Sequence, residues 1–401
     1  MPRILPDWID SYLQFTEEHE SPEVFHKWTA VVMVASAARA NVWMDRGRYE
    51  IFPNQYVIFV SDSAFLRRSV AQKIGVNTFL RKVPDVFVFS DRVTPEGVLD
   101  AVRRVCVLPD GRKREESTAL VWAPELPMMF GGSDVTTRST AIWLTDVYEG
   151  KKEHQHTTRA GGHQKYFNHV VNFFGSTAPD WLENLPEEMI GGGFTGRIHF
   201  VTATQRKRAI AWPTPGLSEF KLKQPLLDDL IHISRLQGEM KPSRDAHALF
   251  KDWYEYDLPT KKLRPEDFRA KPYFERIHDH ALKLAMVYSL SESDSLVVEK
   301  RHLERAIKDV SIVLSGIKFA ISTLGATDFH KIAEKVYQMI ESAPPIGCKH
   351  SDLLRAISYR LDGPGFNQII QLLIDQNRIE IKPATSKRTP TRYIVVPQQT
   401  P

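Results

Sequence analysis

From Tyr56 to Val60 the chain sets five apolar residues in a row, Tyr-Val-Ile-Phe-Val, and then breaks into small and polar ones, Ser61, Asp62, Ser63 and Ala64. Bounded in this way, a run of five is too short for a helix and reads as part of a buried strand over 55–60. The next stretch, 66–80, carries apolar residues at helical spacing. Further apolar strands are expected over 86–89, 119–123 and 170–177. A helix over 94–105 separates the first two, with Thr94 as its N-cap and Pro95 in its first turn. Strands alternating with helices in this manner predict an α/β fold, a mostly parallel sheet covered by helices on both faces.

Either side of this tract the pattern changes. Residues 7–16 and 22–41 repeat apolar residues at helical spacing and are expected to form a helical collar before the sheet. From about 217 to 324 the pattern turns wholly helical. The final seventy residues read as helices over 329–342, 349–359 and 363–377, then short strands over 378–382 and 391–396 around a basic turn. Three helices followed by a hairpin resemble a winged helix. A chain of 401 residues exceeds one typical domain. The expected division is a collar (1–50), a sheet-centred core (51–215), a helical lid (216–325) and a winged-helix domain (326–401).

Cys106 and Cys348 lie far apart, a usage that points away from a disulfide framework or a zinc ribbon and fits a reducing, cytoplasmic setting. The first residues lack the apolar stretch of a signal peptide, and no run of about 18 apolar residues occurs, so no membrane partner is expected. A net charge of +4 permits nucleic-acid binding without requiring it. Local basic runs such as Arg112-Lys113-Arg114 and Arg206-Lys207-Arg208 are more often solvated loops than phosphate contacts.

Several strand ends carry chemistry. The turn over 61–69 has the outline of a phosphate-binding loop: Ser63 and Ala64 in the loop, Arg67 and Arg68 as cations, and Ser69 as the hydroxyl for a nucleotide-bound Mg²⁺. Glycine is missing from 61 to 74 and the usual lysine is replaced, so the pattern G-x-x-x-x-G-K-[ST] fails, and an ordinary strand-to-helix turn is the alternative. Glu125 follows the strand over 119–123, where a carboxylate can orient water, or else is a surface residue. Thr177 ends another strand, placed to sense a terminal phosphate. After the glycines 191–193, Arg197 precedes a strand, as a phosphate-directed arginine or half of a structural arginine–carboxylate pair.

Polar arms around Gly161-Gly162 predict a β-hairpin, with Lys151, Lys152, Arg159 and Lys165 tracking single-stranded DNA in a pore. His154, His156 and His163 read as exposed hairpin residues rather than as zinc ligands. In the winged helix, Asn367, Gln368 and Gln371 are of the type that reads adenine edges, and Lys387, Arg388 and Arg392 are expected on backbone phosphate. Protein docking is the other common use of such a module.

Taken in order, Phe52-Pro53-Asn54-Gln55-Tyr56-Val57, Arg67-Arg68-Ser69, Ala123-Pro124-Glu125-Leu126, Leu144-Thr145-Asp146-Val147-Tyr148, Gly175-Ser176-Thr177-Ala178-Pro179-Asp180-Trp181-Leu182 and Gly192-Gly193-Phe194-Thr195-Gly196-Arg197-Ile198 resemble the P-loop NTPase domain of phage and prophage replicative-helicase-like proteins. That family has long been catalogued only as a domain of unknown function. The resemblance implies an AAA+ or RecA-like core that takes ATP and Mg²⁺, with Glu125, Asp146 and Arg197 as catalytic residues. Arg197 is then a finger acting across subunits of a homo-oligomer, for which a hexameric ring is the expected form. Tyr273-Phe274-Glu275-Arg276 and Leu282-Lys283-Leu284-Ala285 resemble that family's lid, with Arg276 as a second sensor. The implied role is a helicase-like ATPase in the DNA replication of a phage or mobile element, with double-stranded DNA at the winged helix and replication proteins as partners. Arg68 in place of lysine and the glycine-free loop are departures. They keep open an inactive DNA-binding or helicase-loading adaptor that retains the scaffold.

Overall fold

The computed structural model describes residues 2–61, 66–90, 95–107, 111, 113–130, 134–158, 162–182, 193–203, 205–260, 264–265, 270–322, 328–344, 347–357, 363–375, 378–382 and 391–396. The chain divides into two compact units, Met1–Ile321 and Ser322–Pro401.

The first unit opens with α1 (Trp8–Phe15), whose N-cap Asp7 accepts the backbone N–H of Ile9 and Asp10, and α2 (Glu23–Ala38). Short strands β1 (Val42–Asp45) and β2 (Glu50–Ile51) lead into β3 (Tyr56–Val60), the apolar run, all five residues of which are buried. Helix α2 is not a collar. It lies against the sheet, with Phe25 stacked on Phe59 at 4.5 Å and Trp28 on the His199 ring at 4.7 Å. Small residues such as Ala30, Ala35, Ser36 and Ala37 are buried where periodicity alone leaves a solvent face, so neighbours close on α2 from all sides.

After β3 the chain forms α3 (Arg68–Lys73), which passes into a π-helical turn, Ile74–Phe79, and a 3₁₀ turn, Leu80–Lys82, instead of the uniform helix expected over 66–80. Gly75 is the point of closest approach to α2: a Cβ there would lie 2.4 Å from Thr29 Cγ2. Next come β4 (Val88–Ser90), α4 (Pro95–Val102), β5 (Arg104–Val107) and β6 (Lys113–Ala123). The helix expected to reach Val105 stops at Val102, because Val105 and Val107 instead pair antiparallel with the start of β6. The chain continues through α5 (Leu126–Phe130), α6 (Asp134–Val147), β7 (Lys151–Thr158), β8 (Gly162–Thr177), α7 (Pro179–Leu182) and β9 (His199–Thr202).

Five strands run parallel in the order β4-β6-β8-β3-β9, with β5 and β7 added antiparallel to β6 and β8. The fold class is therefore α/β with a mostly parallel sheet. The register sets Val60 of β3 beside Thr177 of β8 and Thr202 of β9, so those ends are level. On one face Phe59 meets Phe174 and, beyond it, α2; on the other Tyr56 and Phe173 meet each other, and Phe173 meets Phe130 of α5. Burying each of these rings is worth about 2–3 kcal/mol. The hairpin expected around residues 161–162 is formed by β7 and β8. Its second arm and the strand expected over 170–177 are one 16-residue strand, turned at Asn168, which has φ 48.

The tract expected to be wholly helical contains α8 (Leu217–Ile233), β10 (Gly238–Glu239), β11 (Lys241–Pro242), α9 (Arg244–Asp252), α10 (Lys271–Phe274), α11 (Ile277–Glu292), β12 (Val297–Val298) and α12 (Lys300–Ser322). Of its two-residue strands, β10 pairs parallel with the earlier β1, while β11 and β12 pair with each other. Buried Asp229 of α8 accepts the N–H of Ile4 and Leu5 at 2.8 and 2.7 Å, and Lys27 of α2 meets Asp309 of α12 at 2.6 Å. Collar, core and lid segments thus pack as a single body.

The second unit consists of α13 (Asp328–Glu341), β13 (Cys348–Lys349), α14 (His350–Ile357), α15 (Gly363–Asp375), β14 (Ile379–Lys382) and β15 (Arg392–Val395), with an antiparallel sheet in the order β13-β15-β14. Phe366, Ile369, Ile370 and Leu373 form the inner face of α15 over Val336, Ile340, Leu353 and Tyr393. Among the described residues, no helix is long and apolar enough to cross a membrane.

Candidate functional site at the carboxyl edge of the sheet

In open α/β sheets ligands collect outside the carboxyl ends of the strands. Arg67 turns the chain there, with left-handed backbone (φ 53), its carbonyl accepting from Val70 N at 3.0 Å and Ser21 Oγ at 3.1 Å. Its guanidinium swings back to Glu20 at 3.2 Å, away from the strand ends. Arg68, the next residue, is 5% exposed and donates Nη1 to the carbonyls of Ser61 and Thr177, stitching the ends of β3 and β8 together. Ser69 comes next, in the first turn of α3, and is half-buried. Ser176 donates its hydroxyl to the Pro124 carbonyl, which ties the end of β8 to the end of β6 and presents the exposed Glu125. Two strand spacings, roughly 10 Å, separate β6 from β3. The fold thus brings Arg68, Ser69, Thr177 and Glu125 to one edge. Ser63 and Ala64 lie outside the described residues.

Arg197 sits at the other edge, just before β9, whose register sets His199 beside Val57 and Thr202 beside Val60. Five strand residues, roughly 15–20 Å, separate it from the level of Thr202. Its Nη2 lies 3.3 Å from Glu149 and its Nη1 donates to the Gly193 carbonyl at 2.9 Å, so the structural arginine–carboxylate pair is formed. Asp146, expected as a catalytic residue, does not join Glu125. It ends α6 at this same amino edge and holds Lys151 at 2.6 Å, with His154 at 3.6 Å. Arg276, expected as a sensor, also lies here rather than beside Arg68, lining a cavity of about 930 Å³ with Glu149, Lys152 and Asp279. A second cavity of about 740 Å³ shares Glu149 and Gly150 and is lined by Ile142, Phe194, Arg138 and Arg197. Gly150, between them, has φ +75, and a Cβ there would strike the Phe52 ring at 2.4 Å.

Each described hairpin lysine meets a carboxylate of its own chain, although Lys152 and Lys165 stay exposed. Lys151 pairs with Asp146, Lys152 with Glu50 at 2.6 Å, and Lys165 with Glu153 at 2.8 Å. Arg159 lies outside the described residues. His154, expected to be exposed, is buried with its ring stacked on His169 at 5.4 Å.

Behind the amino edge is a buried polar cluster that sequence reasoning missed. Lys283 of α11 donates to Asn54 Oδ1 at 2.8 Å and to the Tyr148 carbonyl at 3.0 Å, with its ammonium 3.9 Å from the centre of the Tyr148 ring. The Tyr148 hydroxyl meets His280 Nδ1 at 3.0 Å, and His280 Nε2 meets the Gly196 carbonyl at 2.9 Å. A carbonyl only accepts, so the Nε2–H tautomer is required and the tyrosine donates. The available signal was a lone lysine inside the apolar run 281–287. Burial pulls the Lys283 ammonium down to about 8. The unfolded chain holds that proton to its ordinary value near 10.5, so stability is expected to rise above pH 8 by about 1.4 kcal/mol per pH unit. Buried Tyr56, Tyr148, Tyr273 and Tyr288, all held protonated by burial, reverse the trend once unfolded tyrosines ionise near pH 10. Urea melts of the protein and of Lys283→Met between pH 7.5 and 9.5 check this: the rise belongs to the parent alone, and equal slopes refute it.

In the second unit, Asn367, Gln368 and Gln371 are exposed on α15, Gln371 donating to Asp375 at 2.8 Å. Arg392 is half-buried and donates to the Gly347 carbonyl at 2.7 Å, which turns it inward from a phosphate-contacting position. Lys387 and Arg388 lie outside the described residues. No protein-family model matches the chain, and no curated protein is significantly similar to it. Geometry alone therefore carries the functional reading.

Proposed function

We propose that the chain is a P-loop-type, helicase-like ATPase that acts on DNA as an oligomer, its second unit a winged helix. One observation carries this: Arg68, Ser69, Thr177 and Glu125 converge at the carboxyl ends of β3, β8 and β6, while Arg197 stands at the opposite edge. A ligand at Arg68 is out of reach of Arg197 in the same copy. Head-to-tail copies bring one edge against the other, an arrangement that gives a ring where the rotation between copies closes and a filament where it does not.

Arg68, Ser69 and Glu125 together offer a cation, a hydroxyl and a carboxylate, a set that suits a nucleotide with Mg²⁺, while Thr177 is fully buried with its hydroxyl on the Ala178 carbonyl. Arg68 is engaged with two carbonyls, so it meets phosphate only by turning outward from them. Bound ATP with Mg²⁺ supplies the phosphoryl group. Arg68 would neutralise phosphate charge, Ser69 would offer its hydroxyl to the metal, Glu125 would orient water, and a neighbouring copy's Arg197 would face developing charge after leaving Glu149 and the Gly193 carbonyl. The carbonyl bonds of Arg68 are also the observation that favours a second reading, a non-hydrolysing DNA-binding adaptor in which this arginine only fastens the strand ends.

DNA-stimulated ATP hydrolysis separates the two. Glu125→Gln is expected to lower turnover by about 10²-fold. Mixing Glu125→Gln with Arg197→Ala protein is expected to restore part of the activity, because a mixed contact holds one intact site. A parent protein that binds no nucleotide and turns over none establishes the adaptor instead.

A further inference from the structure

Between β9 and the second turn of α8 the chain runs through a segment that neither edge of the sheet uses. Over 205–224 it carries Arg206, Lys207, Arg208, Lys221 and Lys223 against a single carboxylate, Glu219, in a protein whose whole net charge is +4. The same segment holds the most exposed large apolar side chains of the described residues: Trp212 at 87%, Leu217 at 77% and Phe220 at 72%. Isolated exposed apolar residues are ordinary, but three within nine positions, one of them a tryptophan, mark a contact surface. Leu217, Phe220, Lys221 and Gln224 stand at i, i+3, i+4 and i+7 of α8 and share one face.

The inner side of the segment is already satisfied. Glu20 accepts the Ile210 N–H at 3.0 Å and lies 3.7 Å from Arg206, Glu23 faces Lys207 at 3.6 Å, and Glu219 is held by His19 at 3.0 Å. Among the described residues, no carboxylate pairs with Arg208, Lys221 or Lys223, all of them exposed. What faces outward is two aromatic rings, Trp212 and Phe220, with Leu217 between them and Lys221 and Lys223 beside them, while Arg208 stands at the rim of a cavity it shares with Glu18, Glu20 and Glu219.

Two classes of partner compete for such a surface. The core of a protein–protein interface is depleted in lysine. A single strand of nucleic acid asks for this mixture, because bases stack on exposed rings while phosphates follow the charges. We infer that residues 208–224 form a binding track for single-stranded nucleic acid, with bases on Trp212 and Phe220 and phosphates at Arg208, Lys221 and Lys223. The inference rests on the reading that the protein works on DNA, though not on ATP turnover. It places the contact away from the hairpin, whose described lysines are already paired.

The experiment is a titration of the full-length protein with a fluorescein-labelled dT20 oligonucleotide at several salt concentrations, accompanied by sedimentation velocity. Removal of one stacking ring, as Trp212→Ala or Phe220→Ala, is expected to weaken binding roughly 5- to 100-fold. Lys221→Glu with Lys223→Glu is expected to flatten the slope of log K against log salt by about 1.4, two single-strand phosphates at about 0.7 each. These side chains are exposed, so the variants are expected to fold, and circular dichroism verifies it. A parent that binds dT20 as tightly as every variant overturns the track and leaves the functional reading standing. A parent that binds no dT20 removes the DNA half of that reading together with the track. Variants that lose self-association while keeping their dT20 affinity assign the surface to a second copy and overturn the proposal.

Discussion

Between pH 7.5 and pH 5 the protein is expected to lose much of its stability, because four imidazoles are buried in neutral form. Burial holds His26 and His280 down to about 3 and His169 down to about 4, and drives His199 well below its ordinary range. In the unfolded chain each titrates near 6.5, so below that pH the unfolded state takes up protons that the folded state refuses. Stability contributed above pH 6.5 is therefore lost as pH falls, at about 1.4 kcal/mol per unit for each group, or roughly 8 kcal/mol for the four by pH 5. Against a total stability of about 5–15 kcal/mol, that is half of it or more. Urea midpoints at pH 7.5, 6 and 5 measure the loss, and a midpoint unchanged at pH 5 refutes it. His26 offers a sharper test. Among the described residues neither ring nitrogen has a hydrogen-bond partner, so His26→Leu is expected to fold and to reduce the acid slope by one proton.

Replacing Glu116 with alanine is expected to cost about 3–5 kcal/mol, the range for breaking a buried ion pair from one side. Glu116 is 1% exposed, near the start of β6. It takes Arg39 at 2.7 Å and Arg114 at 2.6 Å, with Thr118 Oγ1 at 3.2 Å. Arg39 is itself buried and in a left-handed backbone conformation, so it cannot simply swing to water. Alanine leaves two guanidinium groups facing each other without the buried carboxylate between them, and the nearest other carboxylate to Arg39, the exposed Asp85, is only at 3.9 Å. Adding Arg39→Met to Glu116→Ala removes one of the stranded charges and is expected to recover part of the loss. Chemical denaturation of the single and double variants decides the matter: a Glu116→Ala protein within 1 kcal/mol of the parent shows that the triad carries no such weight.

Much of the sheet was legible because its strands are short apolar runs between small polar residues. The strand expected over 55–60 is found over Tyr56–Val60, and the hairpin around residues 161–162 was marked by its glycines. Helix α2 was legible as a helix but not as a core layer. Periodicity counts large apolar residues and is blind to alanines and serines that are buried because they are small. The strand ends were readable in the same local way. Residues that close a parallel strand lie at its carboxyl edge, which places Glu125 and Thr177, and residues that open one lie at its amino edge, which places Arg197. Asp146 was named by the resemblance alone, and no strand end marks it: it lies near the end of α6, paired with Lys151. Arg68 was found as a cation, but nothing in its neighbours announced that its charge is spent on two carbonyls. Such bonds depend on where β8 ends, more than a hundred residues later.

A left-handed residue inside a strand is uncommon, and asparagine is among the few side chains that adopt it at modest cost. Asn168 does so where β8 exchanges its partner β7 for β6, and its side-chain amide grips the Glu115 carbonyl at 2.8 Å. The bearing of the whole hairpin is in this way set by one torsion angle and one amide. A β-branched residue at 168 would re-aim the hairpin while leaving every rung of its own ladder intact.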